Sequence, residues 1–121
     1  MKANEIINTS LKLLGYTSVT GNAQLNSRIM NKAVSIVNVV YADLWNKEHT
    51  EEFEPIINLD DEIKLSKNVT DIMAFGVAAF IAQSENDGDQ QQLWMSTYNN
   101  KLRRLTKITT RKDVLPRGYD L

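Results

Sequence analysis

The chain has 121 residues, of which 42% are hydrophobic and 24% charged, and its net charge is −1. That length suits one domain around one core, and that apolar content excludes wholesale disorder. The absence of cysteine removes disulfides, thiolate nucleophiles and thiolate metal sites from consideration.

The opening segment, MKANEIINTSLKLLGY, lacks the basic region, long apolar run and small-residue cleavage site of a signal peptide. A cytoplasmic compartment is therefore expected, and the sequons at Asn8 and Asn68 are not expected to carry sugar. A first helix is predicted from Glu5 to Leu14, with Asn4 as cap and Gly15 as terminator. Ile6, Ile7, Leu11, Leu13 and Leu14 share one side of it. After the polar loop TSVTGNAQ, a long second helix runs from about Asn22 to Lys47. Leu25, Ile29, Ala33, Ile36, Val37, Val40 and Leu44 form its apolar stripe, widened by Met30, Tyr41 and Trp45. Ser27, Arg28, Asn31, Ser35, Asn38 and Asn46 fall on the polar side.

Residues 48–69 are irregular, because Pro55 stops a helix from running through them. Ile56, Ile57, Leu59, Ile63 and Leu65 flank the turn-like Asp60-Asp61, which leaves room for one short β-hairpin. A third helix is predicted from a Thr70 cap to about Glu85. From Ile72 to Ala82 it carries no polar side chain, and a helix apolar all round must be buried. Gly76, Ala78, Ala79 and Ala82 keep it slim, so neighbouring backbones can approach closely. The turn Glu85-Asn86-Asp87-Gly88 leads into a fourth helix capped by Asp89 and ending near Lys107. Trp94, Tyr98, Leu102 and Leu105 mark its buried side, and residues 108–121, with Pro116 and Gly118, read as an extended arm. The fold class is thus all-α: a small four-helix bundle over residues 1–107 with a long second helix, an irregular loop and a C-terminal arm. The expected core contains Leu11, Leu14, Ile29, Ile36, Val40, Leu44, Phe75, Ala79, Phe80, Trp94, Tyr98 and Leu102.

The motifs point away from catalysis. An EF-hand register built on Gly88 would put Gln83 at its first ligand position and Trp94 at its last, where carboxylates are required. His49 is the only histidine, and among Lys47, Glu48, Glu51 and Glu52 it reads as a solvated surface residue. No phosphate loop, dinucleotide fingerprint or nucleophile elbow occurs. No enzymatic activity, cofactor or metal is expected.

Charge is segregated instead. From Asp43 to Asp89 twelve acids face three bases, giving −9; from Lys101 to Arg117 seven bases face one acid, giving +6. Two solvated faces would account for this. A sharper reading is an assembly interface, in which Arg103, Arg104, Lys107, Arg111 and Lys112 meet Glu51, Glu52, Glu54, Asp60, Asp61 and Glu62 of a neighbour. Val114, Leu115, Phe53 and Ile57 would then supply apolar contact. The alternative function is a small DNA-binding regulator using the basic C-terminal segment, although KLRRLTKITTRK lacks interleaved aromatic residues.

Two stretches carry a family resemblance: Leu14–Trp45, LGYTSVTGNAQLNSRIMNKAVSIVNVVYADLW, and Phe75–Leu105, FGVAAFIAQSENDGDQQQLWMSTYNNKLRRL. The Leu-Gly-Tyr after the first helix, the Asn-x-x-Tyr-x-Asp-Leu-Trp end of the second, and the GVA…AQSE.DGD…YN element resemble the head–tail connector (head completion) proteins of long-tailed bacteriophages and prophages. The central helix lacks the proline expected before Gly-Val-Ala, having Ala74-Phe75 there. The resemblance implies a helical bundle that docks under the portal protein as a homo-oligomeric, dodecameric ring. Such a ring continues the DNA channel, contacts the passing double-stranded DNA without sequence specificity, and receives a tail-side connector or stopper protein. The implied location is the virion's head–tail junction, reached from the bacterial cytoplasm.

Overall fold

The computed structural model describes residues 1–15 and 23–114, with side chains for 1–15 and 29–105. The chain folds as an all-α bundle of four helices in this span: α1 (Ala3–Leu14), α2 (Ala23–Glu48), α3 (Lys67–Ser84) and α4 (Gly88–Val114). The segment between α1 and α2 lies outside the described residues, apart from Gly15.

Helix α3 is the centre, and it packs against all three other helices. Ile72, Met73, Ala74, Val77, Ala78, Ala79, Ile81 and Ala82 are all buried on it. Each neighbour reaches α3 at a small residue. From α1, the buried Ser10 places its hydroxyl 2.9 Å from the carbonyls of both Ala74 and its own Ile6, sharing one proton between them. From α2 and α4, Val40 and Tyr98 close on Gly76. A Cβ built at Gly76 would stand 2.8 and 2.9 Å from two ring carbons of Tyr98 and 3.1 Å from Val40 Cγ1. Tyr98 cannot swing aside easily, because its hydroxyl donates to Asp43 Oδ2 at 2.6 Å. Burial, then this hydrogen bond and the Asp43 charge, push the phenol well above its ordinary range and keep it protonated.

Of the expected core, Leu11, Leu14, Ile29, Val40, Leu44, Ala79 and Tyr98 are buried. Ile36, Phe75, Phe80, Trp94 and Leu102 are half-buried at its edge. Phe75 is covered by Trp94, at 5.9 Å between ring centroids, and by the Lys101 ammonium, 5.0 Å from its ring.

Several element ends differ from the sequence expectation. Helix α1 starts at Ala3, not Glu5, because backbone outside the helix caps it. Asn4 and Ala3 donate their amides to the carbonyls of Leu59 and Asp61, at 2.9 and 3.0 Å. Helix α3 begins a turn early, with Ser66 rather than Thr70 at the N-cap. The Glu48 carboxylate accepts the Ser66 N–H, while Thr70 turns its hydroxyl back onto the carbonyls of Ser66 and Lys67. The α3–α4 turn has Asn86 as its left-handed residue (φ 60°). The Asn86 and Asp87 amides return to the Gln83 and Ala82 carbonyls, a Schellman closure in which asparagine replaces the usual glycine. Asp87, not Asp89, caps α4, its carboxylate accepting the Gln90 amide at 3.3 Å. Gly15 does end α1 in the left-handed conformation, at φ 79°.

The largest difference is at the end of α4, which does not stop near Lys107 but continues as helix to Val114. The Gly76–Tyr98 contact sets the antiparallel register and places Val69, near the start of α3, opposite Leu105. The remaining nine α4 residues therefore run about 13 Å past that point at 1.5 Å per residue.

Replacing Gly76 with alanine tests the junction. Helix propensity favours alanine by about 1 kcal/mol, whereas overpacking a close contact costs about 1–3 kcal/mol. With a buried, tethered ring as the obstacle, the steric cost should win. Gly76→Ala should lower the unfolding free energy measured in urea, and an equally stable variant would show that the three helices can part freely here.

Candidate functional site

Residues 49–66 contain no strand. The short hairpin for which the sequence leaves room does not form; in its place the chain's own start pairs with the loop, through one antiparallel bridge between Lys2 and Glu62. Ile63 donates its amide to the Met1 carbonyl at 2.9 Å, and the Met1 ammonium lies 3.0 Å from the Glu62 carboxylate.

Side chains of α2, and of His49 directly after it, supply the loop's other backbone partners. Asn38 forms a two-way pair with Ile56, its Oδ1 accepting the Ile56 amide at 2.8 Å and its Nδ2 donating to the Ile56 carbonyl at 3.0 Å. Three residues on, the Tyr41 hydroxyl accepts the Lys64 amide at 3.0 Å. Trp45 Nε1 donates to the Glu51 carbonyl at 2.8 Å. His49 Nε2 then donates to the Lys64 carbonyl at 2.9 Å. The spacings of three, four and four keep these residues on one stripe of a 3.6-residue helix. Aromatic contacts reinforce them: His49 stacks on Trp45 at 3.9 Å, and Phe53 meets Tyr41 edge-on at 5.1 Å. His49 is thus a half-buried brace, not the solvated residue its charged neighbours suggest, and Asn38 belongs to a structural pair.

Asp61 closes the loop's tip. Its Oδ2 accepts the amides of Ile57 (2.8 Å) and Asn58 (3.2 Å), which hold the carboxyl below its ordinary range. The braced loop bounds an open cleft of about 620 Å³, walled by Tyr41, Trp45, His49, Pro55, Ile56 and Ile57. Five carboxylates line it, from Glu51, Glu52, Glu54, Asp61 and Glu62, against the single ammonium of Lys64. Three have partners within the fold: Asp61 and Glu62 as described, and Glu51, whose Oε2 lies 3.4 Å from His49 Nδ1. Among the described residues no cation pairs with Glu52 or Glu54, and both are exposed. No group of three or more metal-ligating side chains is found among the described residues.

The acidic half of the expected interface is therefore gathered by one loop, with Asp60 at its tip. Ile57 stands 84% exposed on the rim, whereas Phe53 is spent in the aromatic cluster. The basic half lies on α4: Arg103, its guanidinium against the Asn100 side-chain oxygen, and Arg104 are exposed. Lys107, Arg111, Lys112 and Val114 fall on the backbone continuation of the helix, and Leu115 lies outside the described residues. The structure brings both halves to the same end of the bundle, since the loop ends at the start of α3 and α4 passes that start near Leu105. Among the described residues no ion pair joins Arg103 or Arg104 to the loop.

No family model matches the chain, and no curated protein or solved structure matches it either.

Two outcomes follow for the loop. Asn38→Ala strips Ile56 of two backbone hydrogen bonds in a partly buried place, where a lost partner costs about 1–3 kcal/mol. It should raise hydrogen exchange across residues 53–64 before it affects α3; uniform loosening of the whole bundle would contradict a local role. For Asp61, a lowered folded-state pKa means stabilisation present above the ordinary carboxylate value, about 4, and lost as pH falls through the folded value. The Ile57 and Asn58 amide resonances should shift together over that acidic window. In Asp61→Asn the transition should vanish; its persistence would assign the titration to another acid.

Proposed function

We propose that this protein is a structural head–tail connector of a long-tailed bacteriophage, an adaptor that docks beneath the portal as a ring and joins head to tail. The observation that carries the reading is the presence, at one end of a helical bundle, of two unlike and oppositely charged surfaces. One is the braced acidic loop and the other the basic continuation of α4. A ring of identical subunits needs such unlike surfaces, because each copy must meet a different face of the next. The resemblance of Leu14–Trp45 and Phe75–Leu105 to connector proteins supports the same reading, and these stretches supply α2 and the α3–α4 hairpin.

A second reading has one observation in its favour. Arg103, Lys107 and Arg111 recur every four residues on a continuous helix, a spacing that would let them follow a phosphate backbone as a DNA-binding regulator does.

One pair of measurements separates the two. Co-expressed with the portal protein of the same phage genome, the full chain should co-purify with it and add density below the portal in electron micrographs. Without the portal it should bind duplex DNA weakly at physiological salt. Tight, sub-micromolar duplex binding that collapses as salt rises, together with failure to bind the portal, would replace the adaptor with the regulator.

A further inference from the structure

We infer that the acidic cleft beside α2 is the receptor for the basic end of α4 from a second copy of this chain. The inference deepens the adaptor reading by naming the partner of one of its two surfaces.

The cleft's charge is the first reason. Of its five carboxylates, Glu52 and Glu54 have no cationic partner among the described residues, and the only ammonium on its wall is Lys64. Its frame is fixed before any partner arrives, since Asn38, Tyr41, Trp45 and His49 hold the loop backbone at four points. An occupant would therefore meet a set array of carboxylates and would not have to order a free loop. A volume of about 620 Å³ is enough for a few long side chains but not for a whole helix. The occupant is thus a row of cationic side chains presented from outside, with the exposed Ile57 on the rim for apolar contact.

The chain's one dense run of cations is the end of α4, with Arg103, Arg104, Lys107, Arg111 and Lys112. Among the described residues, neither Arg103 nor Arg104 is paired with a carboxylate of its own cleft. Tyr98 of α4 bonds Asp43 on α2, and Asp43 is two residues from both Tyr41 and Trp45, which wall the cleft. At about 100° per residue, two positions place Asp43 roughly 160° around α2 from both. At Tyr98, helix α4 therefore lies across α2 from the cleft, and it continues as helix to Val114. A basic helix end and an acidic cleft that complement each other within one sequence, and that flank α2 on opposite sides, meet between two molecules.

Sedimentation of the purified protein alone tests this, independently of any portal. The wild-type chain should self-associate, and more weakly as salt rises. A cleft-reversed variant (Glu51→Lys, Glu52→Lys, Glu54→Lys) and a helix-reversed variant (Arg103→Glu, Arg104→Glu, Lys107→Glu) should each shift the association midpoint at least tenfold to higher concentration. Circular dichroism melts should confirm that each still folds. An equimolar mixture should associate again, because reversed cleft then meets reversed helix and native cleft meets native helix. Three results would overturn the inference: a wild-type chain monomeric up to its solubility limit, reversed variants that associate like wild type, or a mixture that fails to recover. Recovery by mixing in a protein that ignores the portal would uphold the contact while removing the adaptor reading.

Discussion

The packing around Gly76 is the constraint on which the rest of the bundle depends. A helix apolar on every side cannot lie on a surface, so α3 must be covered all round. Three helices can surround it only if they come close, and they come close where its side chains are smallest. Ala74 admits Ser10 of α1, and Gly76 admits both Val40 of α2 and the Tyr98 ring of α4. The Tyr98 hydroxyl reaches past the contact to Asp43, so one residue ties α4 to both α3 and α2. The pair spans the edge of the core, with a buried phenol and an exposed carboxylate. A charged acceptor at the rim satisfies the hydroxyl without the desolvation cost of a buried ion pair.

The loop follows from a second requirement. Eighteen residues without helix or strand still carry amides and carbonyls, and those turned inward need partners. Here the partners are side chains of α2 and the backbone of the first four residues. The loop in turn caps α1 with the carbonyls of Leu59 and Asp61. It is therefore a structural part of the bundle despite its irregular backbone, and it offers its acids from a fixed frame.

What could be read in the sequence, and what could not, divides along physical lines. The four helices and the burial of α3 were legible because hydrophobic periodicity reports burial directly. The close approach at Gly76 was legible because a glycine inside a helix costs about 1 kcal/mol and calls for a compensating reason. The ends were less legible. Asn4, Thr70 and Asp89 are all good capping residues, but caps came from loop carbonyls, from Glu48 and from Asp87, and only the tertiary fold decides among such donors and acceptors. Asn38 and His49 were missed for a related reason. An asparagine bonded to a loop and one bonded to water have the same periodicity, and a histidine among acids looks solvated. The available signal was the continuation of the Tyr41–Trp45 stripe through both residues, at spacings of three and four.

Local helix electrostatics explain part of the charge segregation, and the remainder is the informative part. The N-termini of α1 and α3 meet the loop, so both positive dipole ends favour acids there, while the negative end of α4 favours bases. Glu48 at the Ser66 amide and Asp61 at its two loop amides are settled by such contacts. Arg111 and Lys112 lie among the last four described residues of α4. The effect fades within a turn, however, and Arg103 and Arg104 lie about three turns from that end. Glu52 and Glu54 likewise lie within the loop, away from any helix start. These four exposed charges repel their like neighbours and gain nothing from their own helix ends. A solvated surface would tolerate them without requiring them; a second molecule that brings the opposite sign to each would give both groups a purpose.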